Sequence, residues 1–386
     1  MAYSKMVKPE LNQVLIVGNS SVRKVILNRP EKLNCISSVM VHQLLKTIKA
    51  FEVDPSIKLV ILKGNGKAFC VGGDVKELVQ LSSQGGWSCS AVPYKKQMIL
   101  EYLLATYRKP LVALIDGMVM GGGAGMTMNG RFRIVTENTV FAMPEALLGL
   151  FADVGASHFL SKLPGYFGEY LALSGARIDG SEMLACGLAT HFVPSKNLLL
   201  LEDALSELSP MNISAIDDIV SKFNYAQPVK PDSILRRLDV INRCFSRKTV
   251  EEIRSSLELE AAKCPEKWIA KALGFMKAAC PTSLKITLRV IREGQRKQSL
   301  ERCLSRDYTI FRHFARRTVG GDFYEGTRAM LMDKDRNPKW EPSRLEQVTE
   351  EMLGQYFEEI HDDDDWDKLQ FPNRSDFSSE VLHARL

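Results

Sequence analysis

Leu59-Val60-Ile61-Leu62-Lys63-Gly64-Asn65-Gly66-Lys67-Ala68-Phe69-Cys70-Val71-Gly72-Gly73-Asp74 decides the fold class of this chain. Its first four residues are apolar with no polar alternate, the pattern of a strand covered on both faces, and Gly64-Asn65-Gly66 is a turn signal. Working outward, Val14–Val17, Val22–Leu27 and Leu111–Ile115 are further β-branched runs. Val41, Leu44, Leu45, Ile48 and Phe51 recur at helical spacing. Strands that alternate with helices predict an α/β fold.

Beyond about residue 200 the texture changes to polar, helix-forming sequence. Helices are expected over Leu201–Leu208, Val250–Ala262, Trp268–Ala279, Ser283–Glu293 and Glu346–Glu359, with Thr282 or Ser283 able to cap the fourth. The organisation read from this is a core over residues 1–200, a helical region over 201–360 and a tail over 361–386. The tail carries Asp362-Asp363-Asp364-Asp365, a run without the alternating ligands of a calcium loop and therefore a solvated segment.

The 386 residues are 45% hydrophobic and 25% charged, which suits a globular protein, and no apolar run approaches the length of a membrane helix. The eight cysteines include no C-x-x-C pair and there is no histidine cluster at zinc spacing, so neither disulfide framework nor metal site is expected. The net charge of +5 is mild and dispersed, which suits an anionic small ligand and argues against nucleic acid. The basic stretch Arg312–Arg317, with Phe311 and Phe314, reads as a helix whose arginines face water while Ile310 and Phe314 are buried.

Two glycine segments then raise the question of chemistry. Gly121-Gly122-Gly123 is followed by Met126 where a dinucleotide fingerprint needs glycine, Gly64-x-Gly66 by Phe69, and there is no phosphate-loop signature. The glycines serve either close packing or the approach of a carbonyl oxygen to bare backbone amides. Phe69–Asp74 is a second such turn, and the amides of Val71 and Gly122 can together form a two-donor oxyanion hole. Downstream, Glu145 in Phe141-Ala142-Met143-Pro144-Glu145 and Asp153 in Phe151-Ala152-Asp153-Val154-Gly155 place two carboxylates eight residues apart. Acids beside exposable amides suggest acyl chemistry.

Asn28-Arg29-Pro30-Glu31-Lys32-Leu33-Asn34, Phe69–Asp74, Met120–Gly125 and Ala142–Glu145 together resemble the crotonase (enoyl-CoA hydratase/isomerase) superfamily. Within it, Phe151–Ala156, Asp322–Gly326 and Asp333–Trp340 are similar to the 3-hydroxyisobutyryl-CoA hydrolases. The resemblance spans roughly residues 12 to 360. It implies a ββα spiral with outer helices, a helical C-terminal region closing the site, and an acyl-CoA substrate. CoA is then part of the substrate and no resident cofactor is implied. It also implies that Glu145 and Asp153 are the catalytic pair, that Val71 and Gly122 hold the thioester oxygen, and that Lys32, Gly72, Gly73, Asp74, Gln97, Gly121 and Gly123 bind substrate.

Gly125 falls where hydratases carry a second glutamate, which favours hydrolysis of a 3-hydroxyacyl thioester, in valine breakdown by resemblance, over hydration of a double bond. Glu145 either attacks the thioester carbonyl or activates water, while Asp153 orients that water or a substrate hydroxyl. Members of this type carry Ala, Glu and Pro where this chain has Val71, Gln97 and Ala152. An amide at residue 71 survives the first change. Gln97 can hydrogen-bond a hydroxyl but cannot carry negative charge.

His158 has no serine elbow or cysteine signature near it and reads as a packing residue, and Cys70 reads as a small buried filler. The ending Ala384-Arg385-Leu386 resembles the terminal tripeptide read by the peroxisomal import receptor, and strand-like sequence from Val14 leaves little room for an arginine-rich mitochondrial leader. A peroxisomal address is therefore expected.

Overall fold

A computed structural model describes residues 12–18, 21–208, 212–225, 227–296, 298–360 and 369–374. The run Asp362–Asp365 and the tripeptide Ala384-Arg385-Leu386 lie outside them. Among the described residues the strands are β1 (Val14–Val17), β2 (Val22–Leu27), β3 (Leu59–Gly64), β4 (Ala68–Cys70), β5 (Leu111–Ile115), β6 (Met118–Met120), β7 (Phe132–Val135), β8 (Val140–Ala142), β9 (Ile178–Asp179) and β10 (His191–Phe192). They form two sheets, ordered β1-β2-β3-β5-β7-β10 and β4-β6-β8-β9. Neighbours are parallel except β1 with β2 and β8 with β9.

Each consecutive pair, β3 with β4, β5 with β6 and β7 with β8, sends one strand to each sheet before the chain moves on to the next turn. This is the expected spiral of ββα units. Its consequence is that the segments just after β4, β6 and β8 stack beside one another, because those three strands are neighbours in the smaller sheet.

The apolar run at residues 59–62 is buried on both faces, as its pattern requires. Val60 and Leu62 point into the main core, whereas Leu59 and Ile61 join Val112, Leu114 and Ile134 on the other face, where helices Leu198–Glu207 and Ile213–Phe223 pack. Burying each such side chain contributes about 1.5–3 kcal/mol.

The second half is helical, as read, with local differences. The helix expected from Ser283 is Pro281–Gly294: Pro281 takes the first helical position and the Cys280 sulfur, not Thr282 or Ser283, accepts from the Ser283 amide. The expected Glu346–Glu359 helix is reduced to a 3₁₀ turn at Leu345–Gln347 and a helix at Glu350–Gln355 capped by Thr349. On helix Leu300–Arg316, Ile310 and Phe314 are buried as expected, but Arg312 is not in water: it is buried near the Trp87 and Tyr308 rings.

The helical region closes directly onto the core. Gly149, at φ +69°, abuts the Asp322 carbonyl so closely that a side chain would begin 2.0 Å from it, and the Cys280 amide donates to the Ala146 carbonyl at 2.9 Å. Helix Leu300–Arg316 lies along helix Ser88–Ala105, stacking Phe311 on Tyr94 with ring centroids 3.7 Å apart.

Candidate active site

β4 runs into Val71–Asp74 and β6 into the short helix Gly122–Gly125, and the two turns meet. A Cβ on Gly72 would lie 3.4 Å from the Gly122 nitrogen, and one on Gly122 would lie 3.4 Å from the Gly73 nitrogen. Gly72 needs glycine for its left-handed φ of +102°.

One expected donor is not available. The Val71 amide donates to the Leu33 carbonyl at 3.2 Å, because the Leu33–Ile36 segment returns along this turn; Ile36 likewise donates to Gly72, and Asp74 donates to Ile36, both at 2.8 Å. Leu33 and Asn34 take left-handed φ values of +51° and +56° to make that return. The amide of Gly73, two residues on, meets no acceptor among the described residues. The Gly122 amide opens its helix and has no partner within it. The pair of bare amides is therefore Gly73 with Gly122 rather than Val71 with Gly122.

Glu145 enters from β8 through Pro144 and begins a 3₁₀ turn, Glu145–Leu148. Its carboxyl is buried against Gly121: a Cβ there would sit 2.7 Å from Oε1, and Gly121 itself has φ +48°, so glycine is required twice over. Oε2 is buried with no hydrogen-bond partner among the described residues. Burial, reinforced by the charge of Asp153, holds the Glu145 carboxyl well above the usual carboxylate range.

Asp153 is also buried, and the Tyr94 hydroxyl donates to its Oδ2 at 2.5 Å. Burial raises Asp153 to about 6, against the opposing effect of the Tyr94 hydrogen bond. The turn that carries it is strained: Val154, a β-branched residue, has φ +56°, and Gly155 follows at +73°. Contacts from the helical region hold this conformation. Asp307 accepts from the Gly155 amide at 2.8 Å, and Thr287 accepts from the Ala152 amide at 3.2 Å, a bond that proline at 152 would forbid.

Gln97 lies over the oxyanion turn. Its Nε2 is so near Gly122 that a Cβ there would lie 2.5 Å away, and its Oε1 faces Gly73. Nε2 donates to Glu101 Oε1 at 2.9 Å.

Other expected contacts take different roles. Gly123 packs on β4, where a Cβ would meet the Cys70 carbonyl at 2.3 Å, so close packing requires glycine there. Asp74 caps helix Val75–Gly85 through Oδ1 and pairs with Arg29 through Oδ2, which uses both carboxylate oxygens inside the protein. Lys32 is exposed on the 3₁₀ turn Pro30–Lys32 near that pair. Gly72 supplies the turn at φ +102°. His158 is engaged by Asn129 at 2.7 Å and Lys162 at 3.1 Å, and burial pushes the Cys70 thiol up, so neither has the form of a nucleophilic centre.

A family model described as enoyl-CoA hydratase/isomerase matches residues 22–357. The chain belongs to the enoyl-CoA hydratase/isomerase family. This member is 51% identical over 375 residues to "Probable 3-hydroxyisobutyryl-CoA hydrolase 2" of Arabidopsis thaliana, covering 97% of this chain and 99% of the relative. It is 52% identical over 364 residues to "3-hydroxyisobutyryl-CoA hydrolase 1" of the same plant, covering 94% and 95%. Among solved structures it resembles a carnitinyl-CoA dehydratase from Mycobacterium thermoresistibile at 29% identity, with a TM-score of 0.83 over 93% of this chain and 99% of that one. The expected crotonase fold is borne out.

Three side chains at the site escaped the sequence reading: Tyr94, Glu101 and Asp307. No motif marks them. The usable signal was a row of polar side chains, Tyr94, Gln97 and Glu101, spaced three and four along one helix and so sharing a face. Among the described residues no three His, Cys, Asp or Glu side chains are grouped to hold a metal ion, and no helix is long and apolar enough to cross a membrane.

Proposed function

We propose that this protein hydrolyses a short-chain 3-hydroxyacyl-CoA thioester, 3-hydroxyisobutyryl-CoA to 3-hydroxyisobutyrate and free CoA, as a step of valine breakdown. The observation that carries the reading is Glu145: a buried carboxyl with one unpartnered oxygen, packed on Gly121 directly beside the Gly122 amide. The names and near-complete overlap of the Arabidopsis relatives support the acyl group.

In this reading the thioester oxygen sits between the amides of Gly73 and Gly122, which stabilise the charge that develops on it. Removing one such donor costs about 3 kcal/mol of barrier stabilisation. Glu145 opens the carbonyl, and the proton affinity that burial raises suits a group acting as a base. Asp153, oriented by Tyr94, positions the water or the substrate hydroxyl. Turnover in ¹⁸O-water tests the covalent route: Glu145 attack expels CoA and forms a mixed anhydride, and water that opens it at the glutamyl carbon leaves ¹⁸O in the Glu145 side chain, a label that attack by a deprotonated water cannot place there. No step calls for a resident cofactor.

The test of the reaction class is free CoA release from 3-hydroxyisobutyryl-CoA set against loss of the conjugated double bond of crotonyl-CoA. Hydrolysis predicts the first without the second. Hydration without CoA release would replace this reading with a hydratase.

We also propose a peroxisomal location, through recognition of Ala384-Arg385-Leu386 by the import receptor; the small-basic-leucine ending and its fit with acyl-CoA metabolism support this. A fluorescent fusion should be punctate with the tripeptide and diffuse without it. Unchanged import after its deletion would rule the address out.

A further inference from the structure

Glu101 is a fully buried carboxylic acid whose presence the reaction as described does not require. It enters the site from helix Ser88–Ala105, one turn beyond Gln97, and is 2% exposed. Oε1 accepts from Gln97 Nε2 at 2.9 Å, and Oε2 is buried with no partner among the described residues.

The surrounding backbone is shaped to admit it. A Cβ on Gly125 would lie 2.8 Å from both the Glu101 Cδ and Oε1, and 2.8 Å from the Val154 Cβ, so glycine at 125 leaves the volume that the Glu101 carboxyl fills. Val154 in turn adjoins Asp153. An acid buried at this cost without a role is unusual.

Its contact fixes one thing, the orientation of the Gln97 carboxamide. An amide can present either its oxygen or its nitrogen, and only the hydrogen bonds around it decide which. With Glu101 accepting from Nε2, Oε1 must turn the other way, to the Gly73 side, where a Cβ on Gly73 would lie 3.5 Å from it. No donor among the described residues meets that oxygen.

We propose that Glu101 is a positioning residue for acyl-group selection: it locks Gln97 so that its carbonyl oxygen accepts a hydrogen bond from the hydroxyl of the bound acyl chain. The inference rests on the thioesterase reading above. It concerns the choice among thioesters, not the opening of the thioester bond.

The experiment compares kcat/KM for 3-hydroxyisobutyryl-CoA and isobutyryl-CoA, which differ only in the hydroxyl, in the wild type and in Glu101→Leu, Glu101→Gln and Gln97→Met. Glu101→Leu removes the acceptor and frees the amide to turn; Gln97→Met removes the amide at similar length. Both should lower the hydroxylated-to-plain ratio by about tenfold or more, with the loss of discrimination read in KM for the hydroxylated substrate. Glu101→Gln keeps an oxygen that can accept from Nε2 and should restore most of the ratio lost in Glu101→Leu.

An unchanged ratio in Glu101→Leu would overturn the proposal, as would equal loss in the Gln and Leu variants. If Glu101→Leu does not fold, the same decision falls to Gln97→Met, where an unchanged ratio overturns it. A wild type that releases CoA from neither thioester overturns the thioesterase reading and this inference with it, whereas turnover with an unaltered ratio overturns this inference alone.

Discussion

The Tyr94 hydroxyl donates to Asp153 Oδ2 at 2.5 Å, joining a helix of the second spiral turn to the strained Val154–Gly155 turn. The bond favours the charged form of Asp153, and Phe311 stacked on the Tyr94 ring holds the donor in place. Tyr94→Phe keeps the ring and removes the donor. Without it the Asp153 proton is held more tightly, so the acid limb of the kcat/KM profile should move to higher pH than in the wild type. A hydrogen bond to a charged group contributes about 1.5–3 kcal/mol, equivalent to about one to two pH units, so activity at pH 7 should fall roughly two- to fifteenfold. A superimposable pH profile would show that the bond does not tune the acid.

Asp307 makes a second, independent prediction about stability. Burial raises its carboxyl from 3.8 to about 7, with Arg306 opposing. Because the folded value is the higher one, unfolding is assisted as the released carboxyl ionises. The stability contribution of the neutral acid is complete below about pH 4 and is lost as pH rises through 7. Asp307→Asn can still accept from the Gly155 amide but cannot ionise. The wild type should lose on the order of 2–4 kcal/mol between pH 4 and pH 8 that the variant does not. Thermal unfolding of both proteins across that range reads the difference, and parallel curves would contradict it.

Gly121 faces the Glu145 carboxyl with no space to spare. Gly121→Ala places a methyl 2.7 Å from Glu145 Oε1 at a φ of +48°. Either the carboxyl or the turn moves, and a misplacement of about 1 Å costs about a hundredfold in rate. The expected signature is a fall in kcat with the far-ultraviolet circular dichroism unchanged. Wild-type kcat would mean that Glu145 does not work from this position.

The particular residues show what a sequence can and cannot reveal here. Leu59–Leu62 announced a strand buried on both faces because that requirement is written in its side chains, and β1, β2 and β5 were legible as strands from their β-branched runs. The three-residue strands β4, β6 and β8 are too short to carry a period, so the second sheet was not seen. The glycine turn at 71–74 was recognised, but the choice of donor went to Val71 because nothing local reveals that Leu33, about forty residues earlier, takes that amide. Asp307 and Thr287 reach the Asp153 turn from helices more than 130 positions away, a juxtaposition made by packing alone. Glycine at 125 could be read only as a missing glutamate until Glu101 was found filling its space.

The central claim is that Glu145 opens a thioester beneath the amides of Gly73 and Gly122. Glu145→Gln preserves the size of a buried side chain whose Oε2 already lacks a partner, so the fold should persist. Release of free CoA from 3-hydroxyisobutyryl-CoA by the folded variant is the direct measurement. The account predicts a loss of at least a thousandfold in kcat with the thioester still bound, and turnover at the wild-type rate would contradict it.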